Sequence, residues 1–174
     1  LFSVALVTYG LTVEPTASYW DAGEYISTSA KLQVGHPPGA PFFQMMGAVF
    51  SMFASNNESI AIAVNFLSVV SSAFVILFLF WSTTLFLKKI SKKNNFTNDT
   101  NILLSSSIGA LAFTFSDSFW FNAVETEVYA LAMLFLSATF WCGLRWEKDF
   151  YNKRGDKWLL LICFLIGLSF GVHF

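Results

Sequence analysis

Residues 60–87 contain no charged side chain. A helix of that length, at about 1.5 Å per residue, exceeds the roughly 30 Å of hydrocarbon in a bilayer. Three further stretches are apolar enough to cross, at residues 102–121, 128–146 and 158–174, and residues 1–13 read as the end of a fifth. In lipid each must be helical, because an open strand leaves its backbone amides and carbonyls without partners. A composition of 55% hydrophobic and only 12% charged residues agrees, since 174 residues cannot hide so much apolar surface in a water-soluble core. The expected fold class is therefore an all-α membrane protein. Leu1 opens the chain inside one apolar run and Phe174 closes it inside another, so residues 1–174 are expected to be a fragment of a longer polytopic domain, inactive alone.

Nine of the ten cationic residues fall in two short segments: Lys88, Lys89, Lys92 and Lys93, then Arg145, Lys148, Lys153, Arg154 and Lys157. The positive-inside bias makes both cytoplasmic, which puts residues 14–57, the 117–127 corner and the end at His173 on the outside. Residues 41–54 are also apolar but reach only about 20 Å as a helix, so they are expected to lie at the interface. A second interfacial helix is expected over residues 19–34, stopped by Gly35-His36-Pro37-Pro38-Gly39. The first outer loop thus carries two short juxtamembrane helices.

Seven of the eleven acids lie on the outer side against one cation, Lys31. Asp21 and Glu24 stand three apart and share a helix face, where like charge and partial desolvation are expected to raise their pKa values. Such a pair suits a general base or a divalent-cation ligand set; equally, acids in a first helical turn serve the helix dipole. Glu125 and Glu127 begin a membrane helix, where carboxylates are costly unless paired, hydrated or used. Being two apart, only one is expected to face Asp21, and Asp117 is a third candidate there. His36 and His173 share the outer level and suit phosphate or metal binding, or else are a solvated loop residue and a satisfied bundle residue. Lys31 is a phosphate contact or a snorkelling interface lysine. Cys142 and Cys163 have no metal or redox spacing, and no basic run with interleaved aromatics points to nucleic acid. No metal site is assigned, though a divalent cation is compatible with the acids.

The order Glu14-Pro15-Thr16, Trp20-Asp21-Ala22-Gly23-Glu24-Tyr25, Gly35-His36-Pro37-Pro38-Gly39-Ala40-Pro41-Phe42 resembles the domain-of-unknown-function 2723 family of the GT-C glycosyltransferase superfamily. The later Asn122-Ala123-Val124-Glu125-Thr126-Glu127-Val128-Tyr129 and Gly167-Leu168-Ser169-Phe170-Gly171-Val172-His173 are similar to the same group, so the resemblance covers nearly the whole chain. It implies a GT-C-like helical bundle, a protein O-mannosyltransferase-like enzyme. Such an enzyme moves a hexose, mannose first among them, from a polyprenyl-phosphate carrier to Ser or Thr of an exported protein. The partners implied are the lipid-linked donor, the acceptor protein and membrane lipid. On this reading Asp21 is the base and Glu24 its support, while Lys31, His36, Glu125, Glu127, Tyr129 and His173 serve the donor. The membrane expected is a bacterial inner membrane with a periplasmic active face, or alternatively the endoplasmic reticulum with a lumenal one. The sequence departs from such a site in offering no outer arginine for the phosphate. The competing functions are a secondary transporter or lipid flippase, which predicts inverted repeats and mid-bilayer acids, and a purely structural subunit.

Overall fold

The computed structural model describes residues 1–94, 98–151 and 155–173, without the side chains of 93 and 94. Lys153, Arg154, Phe174 and the side chain of Lys93 therefore lie outside the described residues. Among those described, the chain is all helix and turn: α1 (Phe2–Leu11), α2 (Ala22–Lys31), α3 (Pro41–Ser51), a short 3-10 turn (Asn57–Ser59), α4 (Ile60–Asn94), α5 (Asp99–Thr114), α6 (Asp117–Ala123), α7 (Val128–Asp149) and α8 (Gly155–Ser169). Two helices are long and apolar enough to cross a membrane, α4 and α7, or up to three if α5 and α6 form one bent span.

Helix α4 is the spine, because it is apolar all round and can be packed on every side. One side meets α1, α5 and α6 through Tyr9, Val69, Ile76, Ala110 and Phe119. Another meets α3, α7 and the turn after α8 through Phe43, Leu67, Val128, Leu131 and Val172. The apolar faces left over, with Leu104, Ile108, Leu160 and Phe164, are exposed, as befits a surface solvated by hydrocarbon.

The stretch 102–121 is not one straight helix. It breaks between Thr114 and Asp117, bending by 69°. A break frees the last carbonyls of α5, and an unpaired carbonyl in lipid is expensive. The buried Tyr9 hydroxyl donates to the Thr114 carbonyl at 2.8 Å and so repairs the break from α1.

The bundle has two polar poles. At one, Lys88 pairs with Asp99 at 3.3 Å and Lys89 pairs with Glu147, while the Arg145 guanidinium lies 5.4 Å from the ring centre of Trp158. At the other, the Thr126 hydroxyl donates to the Asn65 side-chain carbonyl. Asn65 and Lys89 are 24 residues apart on α4, about 36 Å, so the poles are separated by at least a hydrocarbon thickness. Helix α7 runs parallel to α4, because its start meets Asn65 and its end meets Lys89.

Asn65, buried within the apolar α4, ties the first loop to this frame. Its amide donates to the Glu14 carbonyl at 2.6 Å and the Thr16 carbonyl at 3.0 Å, while its oxygen takes the Thr126 hydroxyl. Replacing it by leucine keeps the volume but removes three hydrogen bonds, one of them to the buried Thr126 hydroxyl. Asn65→Leu is expected to destabilise the fold by roughly 2–4 kcal/mol, read as a fall in the thermal midpoint in detergent; an unchanged midpoint would contradict this role.

Candidate functional site

The first loop delivers α2 to the Asn65 pole through a backbone reversal at Trp20, whose φ of 60° is unusual for a side chain of that size. Asp21 follows as the N-cap of α2 but makes no capping hydrogen bond, so its carboxylate is not consumed by the helix end. Leu32, at φ 48°, ends α2 in the left-handed region, and the chain returns through a cis Pro37 bond to Pro38 and through Gly39 at φ 82°. Pro41 then opens α3 at a position where a missing N–H does no harm.

This return lays His36 against α2. Glu24 clamps it twice: Oε1 accepts the His36 backbone N–H at 2.6 Å, and Oε2 lies 2.9 Å from Nδ1. The far ring nitrogen, Nε2, faces Asp21 Oδ2 at 3.9 Å. The clamp explains Gly35, where an added Cβ would stand 2.9 Å from Gln44 Nε2 and 3.1 Å from Glu24 Oε1. Gln44 is itself held by donating to the Thr28 hydroxyl at 3.1 Å.

The electrostatics correct one expectation from the sequence. Glu24 is not pushed upward, because the imidazole lies against it. The hydrogen bond from His36 holds the Glu24 carboxyl below the usual carboxylate range. In return the Glu24 hydrogen bond and charge, then Asp21 and Glu127, raise the His36 imidazole and favour its protonated form. Glu127 does rise, to about 7, through burial first and then the charges of Glu125 and Asp21.

Glu127 is buried at the N-cap of α7, again without a capping bond. Glu125 is also buried and raised, by burial and by Glu14. The two acids therefore divide: Glu127 senses Asp21, whereas Glu125 senses Glu14. Tyr25 lies among them, its ring 6.2 Å from His36 and 5.3 Å from Phe43, with its hydroxyl raised by burial and by Glu127, Asp21 and Glu24.

His173 packs edge-on against Tyr129 at 5.4 Å, and both line a groove of about 790 Å³ between α7 and α8 with Phe135 and Ile166. The turn bearing His173 is hooked to α3, where the Phe42 N–H donates to the Gly171 carbonyl at 2.7 Å. Lys31 closes α2 three turns from Asp21, about 15 Å along the axis, and stands apart. Asp117, exposed in the first turn of α6, is not part of the cluster either.

Asp21, Glu24, His36 and Glu127 thus converge, with Tyr129 and His173 at the margin. The sequence reading missed Tyr25, Gln44 and Asn65. Asn65 alone had a signal, as a single amide in the charge-free run opening α4.

Fold and site together define a helical membrane protein that carries a carboxylate–histidine cluster at one pole of its bundle. Residues 21–174 match the family model described as the protein O-mannosyl-transferase TMEM260 N-terminal domain, and the chain belongs to that family. It is 30% identical over 157 residues to the protein O-mannosyl-transferase tmem260 of Dictyostelium discoideum, a match covering 88% of this chain and 18% of the relative. It is 26% identical over 170 residues to the protein O-mannosyl-transferase TMEM260 of Mus musculus, covering 97% of this chain and 22% of that one. The chain thus spans about a fifth of the length of the curated relatives it matches. No solved structure matches it.

Proposed function

We propose that this chain is the amino-terminal part of a GT-C-type protein O-mannosyltransferase. It works on the non-cytoplasmic face, periplasmic or lumenal according to the host membrane. The donor is a polyprenyl-phosphate-linked hexose, mannose in first place, and the acceptor is a Ser or Thr hydroxyl of an exported protein. Support comes from one observation above the rest: an uncapped carboxylate, Asp21, beside the Glu24–His36 pair, in a chain of this family.

Asp21 takes the hydroxyl proton as the acceptor oxygen attacks the anomeric carbon, because a neutral hydroxyl is a poor nucleophile without a positioned base. The bond from that carbon to the donor phosphate breaks, its electron pair leaves on the phosphate, and the configuration inverts. Glu24 serves by fixing His36 rather than by touching the acceptor. The groove beside Tyr129 and His173, apolar below and polar at its mouth, suits a prenyl chain entering sideways from lipid.

The test is transfer from a defined polyprenyl-phospho-hexose to an acceptor peptide by the full-length protein, with uptake into proteoliposomes measured in parallel. Glycopeptide formation is the expected result. Uptake without transfer would instead make the protein a transporter or flippase.

A further inference from the structure

The cluster lacks positive charge. Asp21, Glu24 and Glu127 surround one imidazole, and even a protonated His36 leaves an excess of negative charge when all three acids are ionised. Among the described residues no lysine or arginine pairs with any of the three, and Lys31 is about 15 Å along α2 from Asp21. A phosphate-bearing donor would meet strong repulsion here. A cation between the acids and that donor would relieve the repulsion.

The geometry already holds the donor atoms for it. Because the Glu24 carboxylate accepts from Nδ1–H, the proton is fixed on that nitrogen and, in the neutral ring, the Nε2 lone pair is turned toward Asp21. The Nε2 to Oδ2 separation of 3.9 Å lets one cation reach both atoms at about 2.0–2.2 Å, the two meeting it at a wide angle. A ligand atom from each of Asp21, Glu24 and His36 falls within 4.8 Å of the others. The bond from the His36 backbone N–H to Glu24 holds the loop against α2, and the bare Cα of Gly35 leaves room for that approach.

We propose that Asp21 Oδ2 and His36 Nε2 bind a divalent cation, with Asp21 Oδ1 left free for the acceptor proton and Glu24 as the carboxylate that orients the imidazole. One nitrogen and one oxygen from the protein leave the remaining positions to water or to phosphate oxygens, an open site for a metal such as Mn²⁺ or Zn²⁺. Cation binding stands independently of the transferase reading; the use of the cation to receive the donor phosphate rests on it.

The test uses the full-length protein in detergent, stripped with chelator and titrated with Mn²⁺ alone, followed by electron paramagnetic resonance and calorimetry. One Mn²⁺ per chain is expected, with affinity weakened at least tenfold by Asp21→Asn and by His36→Ala, and restored toward Cd²⁺ or Zn²⁺ by His36→Cys. Asp21 is half-exposed, so its asparagine variant is a binding test that does not threaten the fold. No Mn²⁺ bound by the wild type, or binding unchanged in both variants, would overturn the site. Binding without sugar transfer would leave the cation site standing and remove the transferase, whereas full transfer in excess chelator without Mn²⁺ binding would do the reverse.

Discussion

Asp21→Asn in the full-length protein should reduce sugar transfer by about 10²- to 10⁴-fold, the range that loss of a positioned general base produces. The amide has the same shape, so what it removes is the ability to accept a proton and to carry charge. Asp21 makes no capping bond and has no hydrogen bond to the Glu24–His36 pair, its nearest approach being 3.9 Å. The thermal midpoint should therefore stay within about one degree of wild type, since exposed sites without structural bonds change stability little. Peptide glycosylation assayed beside a detergent melt separates the two quantities. Transfer at wild-type rate would remove Asp21 from the chemistry, and Glu127 would become the next carboxylate to examine.

Glu127→Gln is expected to show its effect in the pH dependence of stability. The folded carboxyl sits near 7 while an unfolded one titrates near 4.5, so the folded chain holds a proton that the unfolded chain has lost between those values. Stability attributable to this group therefore falls as pH rises through that window and is flat above about 7. At about 1.36 kcal/mol per unit, the loss at pH 8 is on the order of 3 kcal/mol. Glutamine abolishes it: the variant should melt several degrees above wild type at pH 8 and level with it near pH 4.5. Parallel curves for the two proteins across pH 4.5–8 would show that Glu127 does not titrate as the buried neighbour of Glu125 and Asp21.

Both predictions depend on a pole whose ingredients can be read in the chain but whose electrostatics cannot. The positions of the acids and the Gly-His-Pro-Pro-Gly turn are fixed by spacing and turn chemistry, since proline and glycine restrict the backbone locally. The exchange of roles is not: Glu24 lies low and Glu127 high because a loop twelve residues on brings His36 to the first, whereas the bundle buries the second. Lys31 illustrates the same limit. It is on the same helix as Glu24, yet a separation of seven residues carries it about 10 Å along the axis of α2, away from the cluster.

What the sequence determined by itself is the helical, lipid-solvated character of the chain and the sorting of its charges into two groups. Hydrophobic length and charge segregation act along the chain and need no knowledge of packing. The tertiary structure decided the bend at Thr114 and its repair by Tyr9, the Asn65 anchor, and the meeting of Asp21, Glu24, His36 and Glu127. Those are contacts between segments up to about a hundred residues apart in sequence, and which groups meet across them depends on how the helices pack, not on local spacing.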